Sequence, residues 1–443
     1  MINVFIQNTT PRIDYALRLI FETILNSKVK LLNNCDTFAQ TTGPKINYSN
    51  INIPNCIKIK PQGLLNESHL QYQNPTLIKW DETPAFFTVD ESDLPFDIFA
   101  ASFYLTSRYE EYLPGKRDSH QRFMPRYSIA GQNLFLEKPL VNIWALKLAN
   151  IIEEKFPGFS FQRSKFRYQP SFDIDNAWAF QHKGLAKFIF APVKDIIKGN
   201  FKTLALRFRV FWQIEHDPYN NYEFMLSTLK QFHFKPITFF LMNSSGKRDR
   251  AISHRNIFFR KLILQLAKAG KIGVHPSYQS NKKSKQLSKE IKRLENITGK
   301  KIKRSRQHYL KLTFPKTYRS LIENGIKADY SMGYASLPGF RASIATPFYF
   351  FDLIENRATN LKIYPFQVMD VTLLNYRHLN PDDAIKKIDQ LLTETAKVGG
   401  TFISLWHNET LSEIGRWKGW RNVYTEMTRM AAELRDGQKD TTS

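Results

Sequence analysis

The stretch KIGVHPSYQSNKKSKQLSKEIKRLENITGKKIKRSRQHYL, residues 271–310, predicts one complete strand–helix–strand unit. An apolar run over Ile272–His275 predicts a strand, and the segment after it repeats its apolar residues at helical spacing. Gly299 then ends the helix, as expected of a left-handed residue just after a helix. The next strand is predicted over Ser305–Leu310. Such a unit is typical of an α/β fold with parallel strands.

The same alternation continues through the second part of the chain, where helical patterns separate seven apolar or β-rich runs. These runs are Phe166–Ile174, Ile237–Met242, Ile272–His275, Ser305–Leu310, Ala328–Met332, Ile363–Val371 and Thr401–Trp406. Repeated β and α units predict a parallel sheet or a barrel of TIM type. Active sites in such barrels lie at the carboxyl ends of the strands, so polar residues there become site candidates.

Residues 1–160 have a different pattern, which predicts a mixed α/β accessory domain. A strand is expected at Ile2–Ile6. Apolar residues at helical spacing predict helices over residues 12–27, 97–112 and 141–156.

Charge also divides the chain near residue 160. Residues 1–160 contain 16 basic and 16 acidic side chains, whereas the rest contains 48 basic and 24 acidic ones. A step of this size predicts a domain boundary. We therefore expect a second domain over residues 161–430 and a polar tail over residues 431–443.

Composition excludes several classes of protein. The 35 Phe and 19 Tyr among 443 residues exclude intrinsic disorder over most of the chain. No apolar run is long enough for a transmembrane helix, and the N-terminus lacks the pattern of a secretory signal. The two cysteines, Cys35 and Cys56, exclude a disulfide framework and a cysteine-rich zinc ribbon. These observations predict a cytoplasmic protein.

The densest charge lies in residues 281–316, which hold thirteen Lys or Arg and two acids. One interpretation is a surface for an anionic partner such as phosphate-bearing lipid, nucleotide or nucleic acid. The other is an ordinary solvated helix face. Since no nucleic-acid fold signature accompanies the cluster, no specific nucleic acid is expected, and contact with an anionic membrane is the hypothesis kept.

Polar residues lie within or at the end of six of the seven predicted strands. In strand order they are Asp173 and Asp175, His275 and Ser277, Arg306 with His308 and Tyr309, Asp329, Asp370, and His407 with Asn408. A single histidine at a strand end is more often a structural polar group. Six such coincidences at one edge favour a functional site.

The order of these motifs resembles the NodB-like polysaccharide deacetylases, carbohydrate esterase family four, over roughly residues 165–425. The resemblance implies a distorted (β/α)7 barrel and hydrolysis of N- or O-acetyl groups of sugars with a divalent metal. The N-terminal part, with stretches such as FDIFAASFYLTSRYEEYLP (96–114), looks like the extra domain of Bacteroidetes-type deacetylase-like proteins.

The family's first motif, an aromatic residue followed by two aspartates, matches Phe172, Asp173 and Asp175. The resemblance implies that Asp173 is the general base and Asp175 a metal ligand. The alternative is an Asp pair that caps a βα loop.

The second motif is His-(Ser/Thr)-x-x-His, in which both histidines bind metal. Here His275 matches, but Gln279 stands in place of the second histidine. Glutamine is a weak ligand for zinc, the metal expected. We therefore expect His308 to complete the metal site, with strand alternation directing it and Arg306 to the same side. Otherwise the metal is weak, absent or replaced.

The third motif of the family is matched only loosely, around Arg306. The final motif is matched closely by Leu405-Trp406-His407. The resemblance implies that Arg306 keeps Asp173 ionised, that His407 is the general acid and that Asp370 orients His407. Sugar contacts are expected from Ser277, Tyr309 and Trp406, with Trp417 and Trp420 as further candidates for stacking or for the aromatic core.

The predicted function is therefore a metal-dependent hydrolase that removes acetyl groups from a carbohydrate. One alternative is a catalytically weakened barrel that binds an anionic glycan or glycolipid, which Gln279 favours. Another alternative is a nucleic-acid-associated protein, which only the basic charge of the chain favours. A cytoplasmic location, with peripheral contact at the inner membrane face, implies a precursor or lipid-linked acetylated sugar as partner.

Overall fold

A computed structural model describes residues 1–243, 248–249, 251–281 and 283–440. The strands are β1 (Ile2–Ile6), β2 (Val29–Leu32), β3 (Lys45–Tyr48), β4 (Ile57–Lys58), β5 (Leu77–Trp80), β6 (Thr83–Phe86), β7 (Arg167–Ile174), β8 (Ile237–Leu241), β9 (Lys271–His275), β10 (Arg304–Ser305), β11 (Ala328–Asp329), β12 (Phe348–Asp352), β13 (Arg357–Ile363), β14 (Val368–Met369) and β15 (Thr401–His407). The helices are α1 (Pro11–Arg18), α2 (Cys35–Ala39), α3 (Ile98–Thr106), α4 (Tyr109–Tyr112), α5 (Ile129–Gln132), α6 (Leu140–Lys155), α7 (Leu185–Ile197), α8 (Phe201–Phe211), α9 (Tyr222–Gln231), α10 (Ile257–Ala269), α11 (Ser284–Thr298), α12 (Lys316–Glu323), α13 (Pro381–Lys397) and α14 (Trp420–Asp440). No helix within the described ranges has both the length and the apolar composition needed to cross a membrane.

The first 160 residues contain a parallel four-stranded sheet in the order β2-β1-β3-β4. Strand β1 occupies an inner position and is buried along its whole length, as its mainly apolar sequence predicts; its one polar residue, Asn3, is also buried. Helix α1 begins after Thr10, whose hydroxyl accepts a hydrogen bond from the backbone N–H of Ile13. Helices α1, α3 and α6 overlap the three ranges predicted as helical.

The second sheet has nine strands in the order β12-β13-β11-β10-β9-β8-β7-β15-β14, and only β12 is antiparallel to its neighbour. The register places Asp173 of β7 opposite His407 of β15 and Leu241 of β8 opposite His275 of β9. The carboxyl ends of these strands therefore lie at one edge. Among the described residues no pairing joins β12 to β14, so the sheet is not closed and the predicted seven-stranded barrel is not confirmed.

Two of the predicted strands differ from the observed ones for local reasons. The strand expected over Ser305–Leu310 stops at Ser305 because the chain enters a 3-10 turn in which Tyr309 has φ 61°. The strand expected over Ile363–Val371 is divided between β13 and β14 at Pro365, which has no N–H for the ladder.

Helix α14 crosses the boundary predicted at residue 430. It continues to Asp440 because Ala431 and Ala432 extend its buried face. The expected polar tail therefore begins inside a helix, and residues 441–443 lie outside the described residues.

The basic cluster of residues 281–316 is divided among different environments. Lys285, Lys289 and Lys292 are exposed on α11, whereas Arg306 is fully buried. Residue 282 lies outside the described residues. The cluster is therefore not one continuous cationic surface.

The two parts of the chain pack against each other through a buried ionic contact. Glu111 Oε2 lies 2.6 Å from Arg341 Nη2, and Glu111 Oε1 lies 2.9 Å from Arg108 Nε. All three side chains are at most 2% exposed. We call Arg108, Glu111 and Arg341 the Glu111 cluster.

Candidate metal centre

Four side chains meet at the carboxyl edge of the nine-stranded sheet. Asp175 follows β7, His275 ends β9, His308 lies in the turn after β10, and His407 ends β15. The Nε2 atoms of the three histidines, in that order, lie 3.1, 3.4 and 3.9 Å from an oxygen of the Asp175 carboxylate. We call these four residues the histidine cluster. They converge because the carboxyl ends of parallel strands lie at the same edge.

In each of these histidines the other ring nitrogen faces an oxygen acceptor. Nδ1 of His275 lies 2.6 Å from the carbonyl oxygen of Arg306. Nδ1 of His308 lies 3.0 Å from Asp249 Oδ1, and Nδ1 of His407 lies 2.9 Å from Asp370 Oδ1. Carbonyl and ionised carboxylate oxygens only accept hydrogen bonds, so each Nδ1 carries a proton. Nε2 is thus the nitrogen left to bind a metal or to exchange a proton.

The donor set fits a divalent metal. Asp175, His275 and His308 offer ligand atoms that all lie within 4.8 Å of one another. Two ligands of a tetrahedral zinc ion, each about 2.0–2.1 Å from the metal, are about 3.4 Å apart, which is close to the distances from Asp175 to both histidines. Asp175 Oδ1 is buried and accepts no hydrogen bond from the described residues. A neutral imidazole would direct a lone pair at this oxygen, so the contact requires a cation or a proton between the two atoms.

The charges of the cluster reinforce one another. Burial opposes the charge of Asp175, but the imidazoles of His308 and His275 hold the pKa of its carboxyl well below the usual range. Burial also disfavours charge on His407, yet its hydrogen-bonded partner Asp370 outweighs this effect and raises the pKa of His407 to about 10. His407 is therefore protonated at neutral pH.

Asp173 lies beside the cluster and is almost fully buried. Its Oδ1 accepts a hydrogen bond from Arg306 Nη1 at 3.0 Å, and its Oδ2 lies 3.8 Å from His275 Nε2. Arg306 is itself fixed because it donates to Ser171 Oγ and to the carbonyl of Tyr330. One carboxylate oxygen of Asp173 is thus neutralised by Arg306, and the other faces the cluster.

His308 reaches the cluster from the start of the turn that follows β10. Regular pairing ends at Ser305, although the N–H groups of Arg306 and His308 still donate to the carbonyls of Val274 and Pro276. The chain then turns through the left-handed residue that follows His308. The N–H donors at residues 306 and 308 keep the two-residue period of a strand, which directs both side chains to one side, and the left-handed turn residue follows at Tyr309.

A cavity of about 230 Å³ opens in front of the cluster. Its apolar wall includes Leu310, Met369 and Leu405, and Tyr309 also lines it. Small-molecule sites typically enclose about 300–1,000 Å³, so this cavity suits one small substituent better than an oligosaccharide.

The N-terminal part of the chain also contributes to this cavity, through Arg122. Arg122 donates to Asp118 Oδ2 at 2.7 Å and to the carbonyl of Tyr309 at 2.9 Å. The ring of His120 packs 4.8 Å from that of Tyr309. Residues near 120 therefore support the turn that carries His308.

Two predicted sugar contacts lie in the core instead of the cavity. Trp406 is 1% exposed and packs against Tyr424, with ring centroids 5.3 Å apart. Trp417 and Trp420 are also buried. Ser277 is fully buried and donates to Glu290.

The residue that replaces the family's second histidine is also outside the site. Gln279 is exposed and does not line the cavity. His308, and not Gln279, is grouped with Asp175 and His275 as a possible metal ligand.

Asp249 is the main functional candidate that sequence reasoning missed. It accepts from His308 and from the N–H groups of Tyr278 and Gln279. One signal was present, because β8 was the one predicted strand with no polar residue assigned to its carboxyl end, and Asp249 follows it by eight residues.

Comparison with known proteins gives two kinds of likeness. Residues 2–157 match a family of unknown function, DUF7033. No curated protein matches the sequence. A proposed polysaccharide deacetylase from Mycobacterium smegmatis is 16% identical, with a TM-score of 0.39 over 63% of this chain and 92% of that one. A family 4 carbohydrate esterase from Streptomyces lividans is 10% identical, with a TM-score of 0.29 over 62% of this chain and 91% of that one. A CE4 family pseudoenzyme from Bacillus anthracis is 12% identical, with a TM-score of 0.30 over 60% of this chain and 62% of that one.

Proposed function

We propose that this chain is a metal-dependent hydrolase that removes acetyl groups from a carbohydrate. One observation carries the proposal: three imidazoles, each with Nδ1 held by an oxygen acceptor, direct Nε2 at a single carboxylate. Two nitrogens and one carboxylate with an open fourth position are a ligand set of catalytic zinc sites. The resemblance of the motifs around Asp173, His275 and His407 to NodB-like deacetylases supplies the reaction class.

Asp175, His275 and His308 would hold the metal, which when bound lowers the pKa of water to about 7 and polarises a carbonyl group. Asp173 Oδ2, which faces the cluster, accepts the proton of the attacking water as general base. Arg306 neutralises the other oxygen of Asp173 and fixes the carboxylate. The apolar wall of the cavity would accommodate the methyl group of the acetyl.

His407 would act as the general acid that protonates the departing sugar nitrogen or oxygen. Its raised pKa keeps the proton available at neutral pH. Asp370 receives hydrogen bonds from both Nδ1 and the backbone N–H of His407, so the ring orientation is fixed. Asp370 is therefore a positioning residue.

We further propose a cytoplasmic site of action at the inner membrane face, with a lipid-linked or anionic acetylated sugar as substrate. Tyr309, at the wall of the cavity, is the candidate sugar contact. Specific nucleic acid is not expected.

Metal content and acetate release measured on the same purified preparation test the proposal. About one zinc ion per chain is expected, with metal-dependent acetate release from N-acetylated and O-acetylated sugars. Asp175→Asn and His308→Gln should lose metal and activity together, whereas the matched control Gln279→Ala should lose neither.

Less than about 0.2 equivalents of metal, with no gain on reconstitution, would contradict the proposal. If the same preparation still bound acidic glycans, the alternative of a binding protein with a weakened site would replace it.

A further inference from the structure

The helices α7 and α8 concentrate the exposed apolar side chains of the molecule. Of the twenty large apolar side chains that are exposed among the described residues, nine lie between residues 190 and 214. Phe190, Ile197, Phe201, Trp212 and Ile214 are between 64% and 79% exposed. Apolar patches of this density mark an interaction surface. We call residues 182–216 the α7–α8 hairpin.

Helix α8 is apolar on two faces, of which the fold uses one. Phe201, Phe208 and Trp212 are seven and four residues apart, so they share one face, and each is at least 48% exposed. Val210 lies on the opposite face and is 1% exposed. One apolar face of α8 therefore packs on the core, and packing within the fold does not account for the exposed apolar face.

Charge identifies the kind of partner. The α7–α8 hairpin contains seven Lys or Arg and two acids, Asp195 and Glu215, and Glu215 pairs with Arg209 at 3.0 Å. Asp195 is used within the hairpin, where it pairs with Arg207 at 2.8 Å. Lys194, Lys198 and Lys202 are exposed, and no acidic side chain in the described part of the chain lies within ion-pair distance of them. A second copy of this surface would bring like charges together, whereas an anionic surface would be complementary.

The hairpin is anchored at the edge that carries the histidine cluster. It leaves the sheet after β7, and the Asp217 carboxylate accepts from the N–H groups of Ala179, Phe180 and Gln181 at 2.7–3.0 Å. The two ends of the hairpin are thereby clamped together. Asn408, next to His407, donates to the carbonyl of Asn176 at the same base.

We propose that the α7–α8 hairpin lies in the headgroup region of a bilayer that contains anionic lipid. Helices of 13 and 11 residues are about 20 and 17 Å long, too short to cross a hydrocarbon core of about 30 Å. An apolar face bordered by lysines is the pattern of helices that lie in the membrane interface, where lysine side chains extend to the headgroups. This assigns the membrane contact to the hairpin instead of residues 281–316.

The full-length chain with vesicles of phosphatidylcholine, with and without about 30% phosphatidylglycerol, tests the proposal. Trp212 is a built-in probe, because it is 70% exposed and five of the other six tryptophans are at most 6% exposed. Anionic vesicles should shift its emission to the blue and sediment the protein. Trp212→Phe should abolish the shift while sedimentation persists.

Two matched triple variants separate the candidate surfaces. Phe201→Glu, Phe208→Glu and Phe211→Glu together should weaken sedimentation at least about tenfold, since charge at the interface opposes burial of an apolar face. Charge reversal of Lys194, Lys198 and Lys202 should remove the preference for anionic vesicles. These side chains are exposed, so circular dichroism should be unchanged.

Reversal of Lys285, Lys289 and Lys292 on α11 is the control and should leave sedimentation within about twofold. Loss of binding in this variant alone would overturn the proposal. The proposal would also be overturned if the wild-type protein did not bind vesicles but formed a dimer that the phenylalanine substitutions dissociate. Hydrolysis of a small water-soluble acetate ester, which needs the histidine cluster and Asp173 but not the hairpin, should be equal in all these variants. Failure of this proposal is therefore distinguishable from failure of the proposed function.

Discussion

The Glu111 cluster and the histidine cluster are both largely buried and both charged, but only the first is saturated with hydrogen bonds. Glu111 accepts three hydrogen bonds from Arg108 and Arg341. Arg108 donates further to Glu110 and Tyr334. Asp175, by contrast, keeps a buried oxygen without a donor and is 31% exposed.

This difference separates a structural from a functional group of charges. In a buried ion pair whose donors and acceptors are all hydrogen-bonded, no group is free to bind a ligand. Removal of one partner leaves the other charge unpaired in the core. An unsaturated set of lone pairs in a cavity is poised to receive a cation or a substrate. We therefore expect substitutions in the first cluster to change stability and substitutions in the second to change binding and chemistry.

The largest expected effect is that of Asp173→Asn, beside the histidine cluster. Removal of the general base should lower kcat by about 10²–10⁴-fold, because an amide cannot take the proton of the attacking water. Metal content should remain near that of the wild type, whereas the urea midpoint should fall because Arg306 loses its buried counter-charge. Acetate release and elemental analysis measure both, and an unchanged kcat would remove Asp173 from the reaction.

The Glu111 cluster should show the opposite behaviour. Glu111→Gln should lower the free energy of unfolding by about 3–5 kcal/mol, because Arg108 and Arg341 would lose their buried counter-charge. Urea denaturation measures the loss. Activity of the protein that remains folded should be unchanged, and a selective loss of kcat would break the contrast between the clusters.

The same substitution predicts a pH dependence. Burial would raise the pKa of Glu111, but Arg341 and Arg108 lower it from 4.5 to about 2. A carboxylate with a lowered pKa stabilises the folded state above its unfolded pKa, and this contribution is lost as pH falls from about 4.5 to about 2. The difference between wild type and Glu111→Gln should be largest near pH 7 and shrink below pH 4.5. A difference independent of pH would contradict the assignment.

A smaller effect is expected from Asp249→Asn, because Asp249 contacts the histidine cluster only through its hydrogen bond to His308. Loss of the carboxylate that holds His308 Nδ1 should weaken metal affinity by about 10–100-fold. Competition with a chelator measures it. Asp329→Asn is the matched control, since Asp329 is buried in the same sheet but bonded to Ser305 and Ser331, not to a histidine. Equal weakening in both variants would indicate general loosening.

The smallest effect concerns the contribution of residues 1–160 to the site. Arg122→Ala should lower kcat/KM by up to about tenfold, because the turn at Tyr309 loses its donor and His308 is less firmly positioned. Arg122→Lys should recover part of the loss, since lysine keeps the charge but not the fork of donors. Steady-state kinetics measure both, and unchanged values would confine the site to the second part of the chain.

Much of the site could be predicted because strand ends are local features. Asp173 and Asp175 lie two residues apart, so strand alternation puts them on one side and Ile174 on the other, where it is buried. The same alternation contradicts the predicted sugar contact of Trp406. As the neighbour of His407 it must point to the opposite face, and it packs in the core.

The sequence by itself determined the alternation of strands and helices, the edge at which polar residues collect and the identity of most of that set. Periodicity and residue type act over a few positions, and a sequence displays them directly. Tertiary structure alone decided that Asp249 and Arg122 join the site, and that a hairpin would turn its apolar face outward. Those outcomes depend on contacts between residues tens to hundreds of positions apart, which no local pattern encodes. Only the folded chain brings such residues within hydrogen-bond distance, or leaves an apolar face without a partner.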